Sequence, residues 1–191
     1  MTQTNTRHPV KRIVLIGDAA VGKSTYVKCL QGNIKTRHGH RVVIGHGDNE
    51  YHTTGEIFCH PKRVEFSRLE GSDHNISVRF YELGGQDVTS SEQRAFVGDI
   101  ADGVIVMFDL TRPDTIYRAI AWVEWLEDRH PEIVRILVAN KKDLAGQNSH
   151  FDFAVLASCL LDTVTPYFVT SSNDKESQRN VLSYCLSKID Q

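Results

Sequence analysis

The sequence has few cysteines and no long run of charge of one sign. Its four cysteines show no paired spacing, so a reduced interior suits them better than a disulfide framework. The formal net charge is −2 and no extended basic segment occurs, which argues against nucleic acid as a partner. No apolar stretch approaches membrane-spanning length. These absences favour a cytoplasmic protein, with the nucleus as the alternative compartment.

Length and terminal composition indicate a single domain. A chain of 191 residues with 40% hydrophobic content can bury one sizeable core. Residues 1–10 are expected to form a flexible tail and residues 11–191 the folded domain. The chain has no hydrophobic signal region, no acylation sequence that begins Met-Gly and no prenylatable cysteine at its end. We therefore expect no stable membrane anchor, and we predict a monomer.

The most informative segment is a glycine-rich loop that reads Gly-Asp-Ala-Ala-Val-Gly-Lys-Ser, a complete G-x-x-x-x-G-K-[ST] pattern. It follows an apolar run and precedes a helix-like stretch, so backbone N–H groups and the positive end of a helix dipole point at one place. The pattern predicts a phosphate site in which Lys23 reaches the outer phosphates and the Ser24 hydroxyl ligates Mg²⁺. The residues expected to contact the ligand are Gly17, Asp18, Ala19, Ala20, Val21, Gly22, Lys23, Ser24 and Thr25.

A second motif, Asn140-Lys141-Lys142-Asp143, follows the strand-like run 134–139 and predicts guanine selection. The Asp143 carboxylate can accept two hydrogen bonds from a base edge that carries an N1–H and a 2-amino group. Adenine offers neither group and would leave the carboxylate unpaired. The motif alone is weak, because turns after strands favour Asn and Asp. Its placement at the carboxyl end of a strand supports a binding role for Asn140, Lys141 and Asp143.

From about Lys11 to about Ile189 the chain resembles the Ras superfamily of small GTPases. Tyr81–Gln86 is similar to the segment that opens switch II, Phe108–Thr111 to the strand-end Asp-x-Thr, and Thr170–Asn173 stands where the family has Thr-Ser-Ala-Lys. The resemblance implies a molecular switch that binds GTP or GDP with Mg²⁺ and hydrolyses GTP slowly. It also implies exchange factors, GTPase-activating proteins and effectors as partners.

The resemblance assigns further roles outside the two motifs. Gln86 would orient the attacking water, and it is predicted to be catalytic together with Lys23. The Gly85 amide would sense the γ-phosphate. Ser171 and Ser172 would offer backbone groups to the guanine oxygen.

Two positions depart from the family pattern, and both concern the metal. Glu82 stands where the family has an Asp that holds Mg²⁺ indirectly, and the extra methylene lengthens its reach by roughly 1.3 Å. The longer carboxylate either coordinates the metal directly or weakens metal binding. Thr53 is the candidate for the switch I threonine that meets Mg²⁺ and the γ-phosphate, and Thr54 is the alternative. The predicted metal ligands are thus Ser24, Thr53 and Glu82.

The segment Gln31–His52 is longer than the corresponding family segment and is rich in His and Gly, so we expect a mobile loop. Its histidines fit no tetrahedral ligand spacing, and zinc is not expected.

Strand and helix patterns alternate along the chain and predict an α/β fold, and the resemblance implies that it is of the P-loop NTPase type. Roughly six strands should form a mostly parallel sheet with one antiparallel edge strand and helices on both faces. The strands are expected near residues 12–17, 56–66, 77–83, 103–109, 133–139 and 166–170, and the helices at 114–129, 154–161 and 177–189.

Two other functions fit part of the sequence. Glu82 and the unusual switch I suit a nucleotide-binding scaffold that holds GTP or GDP and hydrolyses little. An ATP-dependent P-loop kinase would require that Asn140–Asp143 take no part in base binding.

Overall fold

The structure, a computed structural model, describes residues 10–30, 32–35, 41–46, 57–67, 76–84, 91–145 and 164–189. For residues 32–35, 41–46, 57–67 and 76–77 it describes the backbone alone. The helix predicted at 154–161 lies outside the described residues.

A single sheet of eight strands forms the centre of the described part of the chain. The strands are β1 (Val10–Ile16), β2 (Gly32–Lys35), β3 (Arg41–His46), β4 (Ile57–Ser67), β5 (Ile76–Leu83), β6 (Gly103–Asp109), β7 (Val134–Asn140) and β8 (Tyr167–Val169). Their order is β2-β3-β4-β5-β1-β6-β7-β8. From β5 to β8 all neighbours are parallel, and from β2 to β5 they are antiparallel. The predicted fold class is confirmed.

The helices in the described ranges are α1 (Lys23–Cys29), α2 (Ser91–Ile100), α3 (Asp114–Arg129) and α4 (Lys175–Ile189). Helix α3 has the predicted bounds, and α4 begins two residues before the predicted start at 177. Of the helices that the structure describes, none combines the length and the apolar character that crossing a bilayer would require.

Strand β1 is buried on both faces because successive strand residues point to opposite sides of the sheet. Ile13 and Leu15 join a buried cluster with α1 and α4, whereas Val14 and Ile16 join one with α2 and α3. Each of the four is at most 2% exposed. Burying a side chain of this size contributes about 1.5–3 kcal/mol. The strand that carries the phosphate loop is therefore fixed from both sides.

Helix α3 places apolar residues at helical spacing against the sheet. Its buried apolar residues are Ile116, Ala119, Trp122, Val123 and Leu126. Asp114 in the first turn and Arg129 in the last turn complement the helix dipole. These features fix the start of α3, and with it the short connection from β6, beside the phosphate loop.

The antiparallel part of the sheet differs from the prediction. The strand expected at 56–66 forms β4 and pairs antiparallel with β5, but it does not lie at the edge of the sheet. Strand β3 pairs with its other side, and β2 pairs with β3. Both added strands come from Gln31–His52, so the expected loop is wrong for residues 32–35 and 41–46. The run Val42-Val43-Ile44 is β-branched, and pairing satisfies the N–H and C=O groups that an uncovered edge of β4 would expose.

Candidate nucleotide-binding site

The phosphate loop joins β1 to α1 at the carboxyl end of the parallel strands. Gly17 (φ 142°) and Gly22 (φ 108°) both adopt backbone angles that residues with a side chain rarely reach. A Cβ on Gly17 would overlap the carbonyl oxygen of Met107, and one on Gly22 would overlap the side-chain amide of Asn140. The two motif glycines are therefore required where the loop lies against β6 and β7.

Lys23 lies in the first turn of α1 and is 4% exposed. Its ammonium donates to the carbonyl oxygens of Gly17 at 2.7 Å and Asp18 at 2.9 Å. Burial lowers the pKa of Lys23 from its ordinary value, while Glu82 and Asp18 raise it and Arg112 lowers it further. An ammonium has three N–H donors. The two carbonyl contacts use two of them, and the third can donate to a phosphate oxygen. A polyphosphate would also stabilise the charged form of this buried amine.

Two arginines that follow β6 contact the phosphate loop. Arg118 Nη1 lies 2.9 Å from Asp18 Oδ1, and the Asp18 side chain is 4% exposed. Arg112 Nη2 donates to the carbonyl oxygen of Ala19 at 2.6 Å. Sequence reasoning missed both arginines, because they belong to no nucleotide-binding pattern and lie about a hundred positions from the loop that they contact.

Asp109 ends β6 with a carboxylate that is fully buried. Burial alone would raise the pKa of this group, but hydrogen bonds from Lys141, Thr111 and Arg112 outweigh that effect and hold the pKa below its ordinary value. Oδ1 accepts the Thr111 N–H at 2.9 Å and the Thr111 hydroxyl at 2.6 Å. Oδ2 lies 2.7 Å from Lys141 Nζ and 3.1 Å from Arg112 Nε. The carboxylate is therefore a charged, fully partnered anchor beneath the site.

Ser24 and Glu82, two of the predicted metal ligands, lie together. The Ser24 hydroxyl donates to Glu82 Oε1 at 2.6 Å, and Glu82 is 9% exposed. A hydroxyl that donates its hydrogen keeps lone pairs on oxygen, and oxygen donors are the ligands that Mg²⁺ prefers. The pair therefore fits a hard divalent cation. Over the described residues no cluster of three or more His, Cys, Asp or Glu could hold a metal, so phosphate oxygens and water would complete its coordination.

Asn140 joins the phosphate loop to the loops that follow β7 and β8. Its Nδ2 donates to the Val21 carbonyl at 2.8 Å, and its Oδ1 accepts the Thr170 hydroxyl at 3.0 Å. Asn140 is 3% exposed, so both ends of the amide need these partners. The next residue, Lys141, has φ 64° and turns the chain toward Asp143. The side chain that ends β7 therefore links the phosphate loop to the loop that follows β8.

Asp143 is exposed, and both of its carboxylate oxygens are oriented by hydrogen bonds. Ser171 Oγ donates to Oδ1 at 2.7 Å, and Asn173 Nδ2 donates to Oδ2 at 2.9 Å. A carboxylate has about four acceptor positions, so each oxygen keeps one for a base edge. Sequence reasoning missed Gln178 of α4. Its Nε2 donates to the Ser171 carbonyl at 2.8 Å and so stabilises the loop that follows β8.

Most of the remaining predicted residues lie at the same edge of the sheet, although with different exposure. Val21 is fully buried, Ala19 and Ala20 are exposed, and Ser172 is half-buried. Thr25 is exposed on α1. The predicted residues Gly85, Gln86, Thr53 and Thr54 lie outside the described residues, so the roles given to them stay predictions.

The fold and the site define a class: an α/β domain that carries a glycine-rich loop and an Asn-Lys-Lys-Asp loop at one edge of a parallel sheet. The family model for "Ras of Complex, Roc, domain of DAPkinase" matches residues 12–143, which is more than half of the 191-residue chain. The chain therefore belongs to the Ras superfamily of small GTPases, as the sequence motifs suggested.

Individual relatives agree at low identity. The chain is 26% identical over 183 residues to GTP-binding protein ypt5 of Schizosaccharomyces pombe, covering 94% of this chain and 77% of that protein. It is 30% identical over 138 residues to Ras-related protein Rab-5A of Dictyostelium discoideum, covering 71% of this chain and 59% of that protein. It is also 30% identical over 134 residues to the Ras and EF-hand domain-containing protein homolog of Caenorhabditis elegans, covering 70% of this chain.

The chain spans 18% of the length of that Ras and EF-hand relative, so the match concerns one domain of a longer protein. The relative from Schizosaccharomyces pombe is itself named a GTP-binding protein, and the family to which the chain belongs is one of GTP-binding proteins.

Proposed function

We propose that the protein is a GTP/GDP switch that hydrolyses GTP slowly in the presence of Mg²⁺. The observation that carries this proposal is the 2.8 Å hydrogen bond from Asn140 Nδ2 to the Val21 carbonyl. It joins a phosphate cradle, which accepts any nucleoside triphosphate, to the loop whose Asp143 carboxylate selects a base with two adjacent donors. The two recognition elements therefore act on one ligand, and that ligand is a guanine nucleotide.

Hydrolysis in this site depends on positioning and charge. Lys23 and the loop amides would neutralise charge on the β- and γ-phosphate oxygens, and Gln86 would align the attacking water. Ser24 and Glu82 would hold Mg²⁺, which offsets further phosphate charge when it is bound. Intrinsic rates of such sites are low, and an arginine from a partner raises the rate by a factor of roughly 10³ to 10⁵.

The switch would operate through the γ-phosphate. Thr53 and Gly85 would contact this group in the GTP form, and its loss would release both segments and change the surface that effectors meet. We propose regulation by an exchange factor and a GTPase-activating protein, and a role in signalling or intracellular transport.

The most direct test is the nucleotide that the purified protein carries. Heat denaturation followed by chromatography of the released small molecules should give GDP or GTP in near-stoichiometric amount. A titration with fluorescent GDP should then show displacement by GTP and GDP but not by ATP at the same concentration. Release of adenylates, or failure to bind guanylates at millimolar excess, would contradict the proposal.

A second candidate is a scaffold that binds GTP or GDP and hydrolyses little. It is favoured by the 2.6 Å contact between the Ser24 hydroxyl and Glu82, because the family's shorter Asp is replaced by a side chain with a longer reach toward the metal ligand. Single-turnover cleavage of GTP with Mg²⁺ separates the two candidates. Cleavage by the wild type supports the switch. No cleavage by the wild type, with cleavage restored in Glu82→Asp, supports the scaffold and locates its cause.

A further inference from the structure

Arg112 contacts both halves of the nucleotide site although it belongs to neither motif. It lies between β6 and α3, and its Nη2 donates to the Ala19 carbonyl at 2.6 Å. Its Nε donates to Asp109 Oδ2 at 3.1 Å. The same carboxylate oxygen lies 2.7 Å from Lys141 Nζ. One guanidinium therefore links the phosphate loop to the guanine loop, residues 140–143, through a buried carboxylate.

We infer that Arg112 is a positioning residue that fixes the phosphate loop relative to the guanine loop and thereby slows nucleotide release. The inference rests on the proposed function, since it concerns the rate at which a bound guanine nucleotide leaves.

The contact with Ala19 orients one particular peptide group. In a planar trans peptide, the carbonyl of Ala19 and the N–H of Ala20 point in opposite directions. Because Arg112 holds the carbonyl, the Ala20 N–H points away from the arginine, and in this orientation it would donate to a phosphate oxygen. Ala20 has φ 61°, a strained angle for a residue with a side chain, so this peptide needs an external partner to stay in place.

The other end of Arg112 is fixed to a rigid point. Asp109 is fully buried and is also held by the N–H and the hydroxyl of Thr111, so it keeps its position independently of the arginine. The Arg112 side chain itself is 39% exposed. Its planar guanidinium carries donors on both Nε and Nη2, and here they meet two separate acceptors. A lysine has all its donors on one terminal nitrogen and would not reproduce this spacing.

The inference is tested on the full chain loaded with GDP, in the variants Arg112→Gln and Arg112→Lys. We expect Arg112→Gln to release fluorescent GDP about tenfold faster than the wild type, the change expected for one lost charge-assisted hydrogen bond. Arg112→Lys should also release GDP faster, because charge alone does not restore the bridge. In both variants the ³¹P resonance of the GDP β-phosphate should shift, since the amide that faces it moves.

Arg129→Gln is the matched control, because Arg129 lies on α3 in an exposed pair with Asp128, 2.7 Å away and remote from the site. It should keep the wild-type release rate and the wild-type resonance. If the wild type binds no guanine nucleotide, the proposed function is wrong. If the wild type binds GDP but both Arg112 variants release it at the wild-type rate, only the role of Arg112 is wrong.

Faster release with an unchanged phosphorus resonance would also overturn the role of Arg112, because it would indicate a general loss of stability. Should Arg112→Gln fail to fold, Arg112→Lys decides between these outcomes.

Discussion

The phosphate loop and the guanine loop lie at the same edge of the sheet, but they present different chemical groups to a nucleotide. In the phosphate loop the side chains of Ala19 and Ala20 are exposed and apolar, and recognition falls to backbone N–H groups and Lys23. In the guanine loop the group proposed to read the base is one carboxylate, that of Asp143, and Ser171 and Asn173 orient its two oxygens.

The means of support differ in the same way. Side chains from other elements hold two carbonyls of the phosphate loop: Arg112 holds that of Ala19 and Asn140 that of Val21. Arg118 adds one contact of the other kind, with the side chain of Asp18. In the guanine loop, by contrast, the side chains of Ser171 and Asn173 hold the side chain of Asp143. Changes of side chain at exposed positions of the phosphate loop should therefore affect stability more than binding, whereas a change of a single atom in Asp143 should alter binding strongly.

The largest effect is expected from Asp143→Asn. The amide offers a donor where guanine needs an acceptor, so GDP affinity should fall by roughly 10⁴-fold. Xanthine carries a carbonyl in place of the 2-amino group, and the variant should therefore prefer xanthosine diphosphate. Competition of both nucleotides against fluorescent ligand measures the ratio. Asp128→Asn, an exposed carboxylate on α3, is the control. An unchanged ratio in the Asp143 variant would remove this residue from base reading.

Lys23→Met is expected to rank second. The buried ammonium donates to the carbonyls of Gly17 and Asp18 and is proposed to bind the phosphates. Its loss should therefore weaken GDP binding by roughly 10²-fold. The ratio of GDP to xanthosine diphosphate affinity should stay as in the wild type, because the base is read elsewhere. Lys28→Met, an exposed lysine of the same helix, should bind as the wild type does. A changed base preference in Lys23→Met would show that the two loops are not separate in function.

The pH dependence of GDP binding should report the same lysine. Burial lowers the pKa of Lys23 in the free protein, whereas a bound polyphosphate favours the protonated amine and raises this pKa. At a pH between the pKa of the free protein and that of the complex, binding therefore takes up a proton. Affinity should be highest below the lowered pKa and should fall, by at most about tenfold per pH unit, as the pH rises through it. Isothermal titration at increasing alkaline pH measures this decline. The decline should be absent in Lys23→Met, and its persistence there would assign it to another group.

The sequence could predict those parts of the site whose determinants are adjacent in the chain. Gly17, Gly22 and Lys23 form one local pattern, and the 3.6-residue periodicity of α3 predicted both of its ends. The contact of Arg112 with Ala19 joins positions 93 residues apart, and no local pattern encodes such a pair. In the sequence, Asp109 is recognisable only as part of a family segment. Its contacts with both Arg112 and Lys141 depend on β1, β6 and β7 being neighbours in the sheet.

The same reason explains the error in the sheet. Strands β2 and β3 are four and six residues long, and the β-branched run in β3 covers only three residues, so each strand depends on pairing with a neighbour. A segment of that kind in a glycine-rich and histidine-rich stretch is typical of a loop until its partner strand is known.

A smaller effect is expected from Asn173→Ala. Asn173 is exposed, and it orients one of the two Asp143 oxygens through a 2.9 Å hydrogen bond, while Ser171 continues to hold the other. GDP should bind about threefold more weakly, as expected for one neutral donor at the surface. Equilibrium titration measures this change, with the exposed Asn180→Ala on α4 as the matched control. Unaltered GDP binding would mean that Ser171 alone orients the carboxylate.

The smallest effect is expected from Ala20→Gly, and it tests the backbone character of the phosphate loop most directly. Ala20 has φ 61°, which costs a residue with a side chain about 1–2 kcal/mol. Glycine removes that strain but adds freedom to the unfolded chain, so a net gain of about 0.5–1 kcal/mol in the free energy of unfolding is expected.

The measurement is denaturant unfolding alongside GDP titration. The matched substitution Ala121→Gly, at an exposed position inside α3, should instead destabilise by about 1 kcal/mol, because there the helix favours alanine. GDP affinity should stay at the wild-type value in both variants, since the peptide of Ala20 is held through the Ala19 carbonyl and not through a methyl group. A gain in stability with a loss of affinity in Ala20→Gly would show that the Ala20 side chain itself contacts the nucleotide. The phosphate loop would then not bind through backbone groups and Lys23 alone, and its contrast with the guanine loop would be wrong.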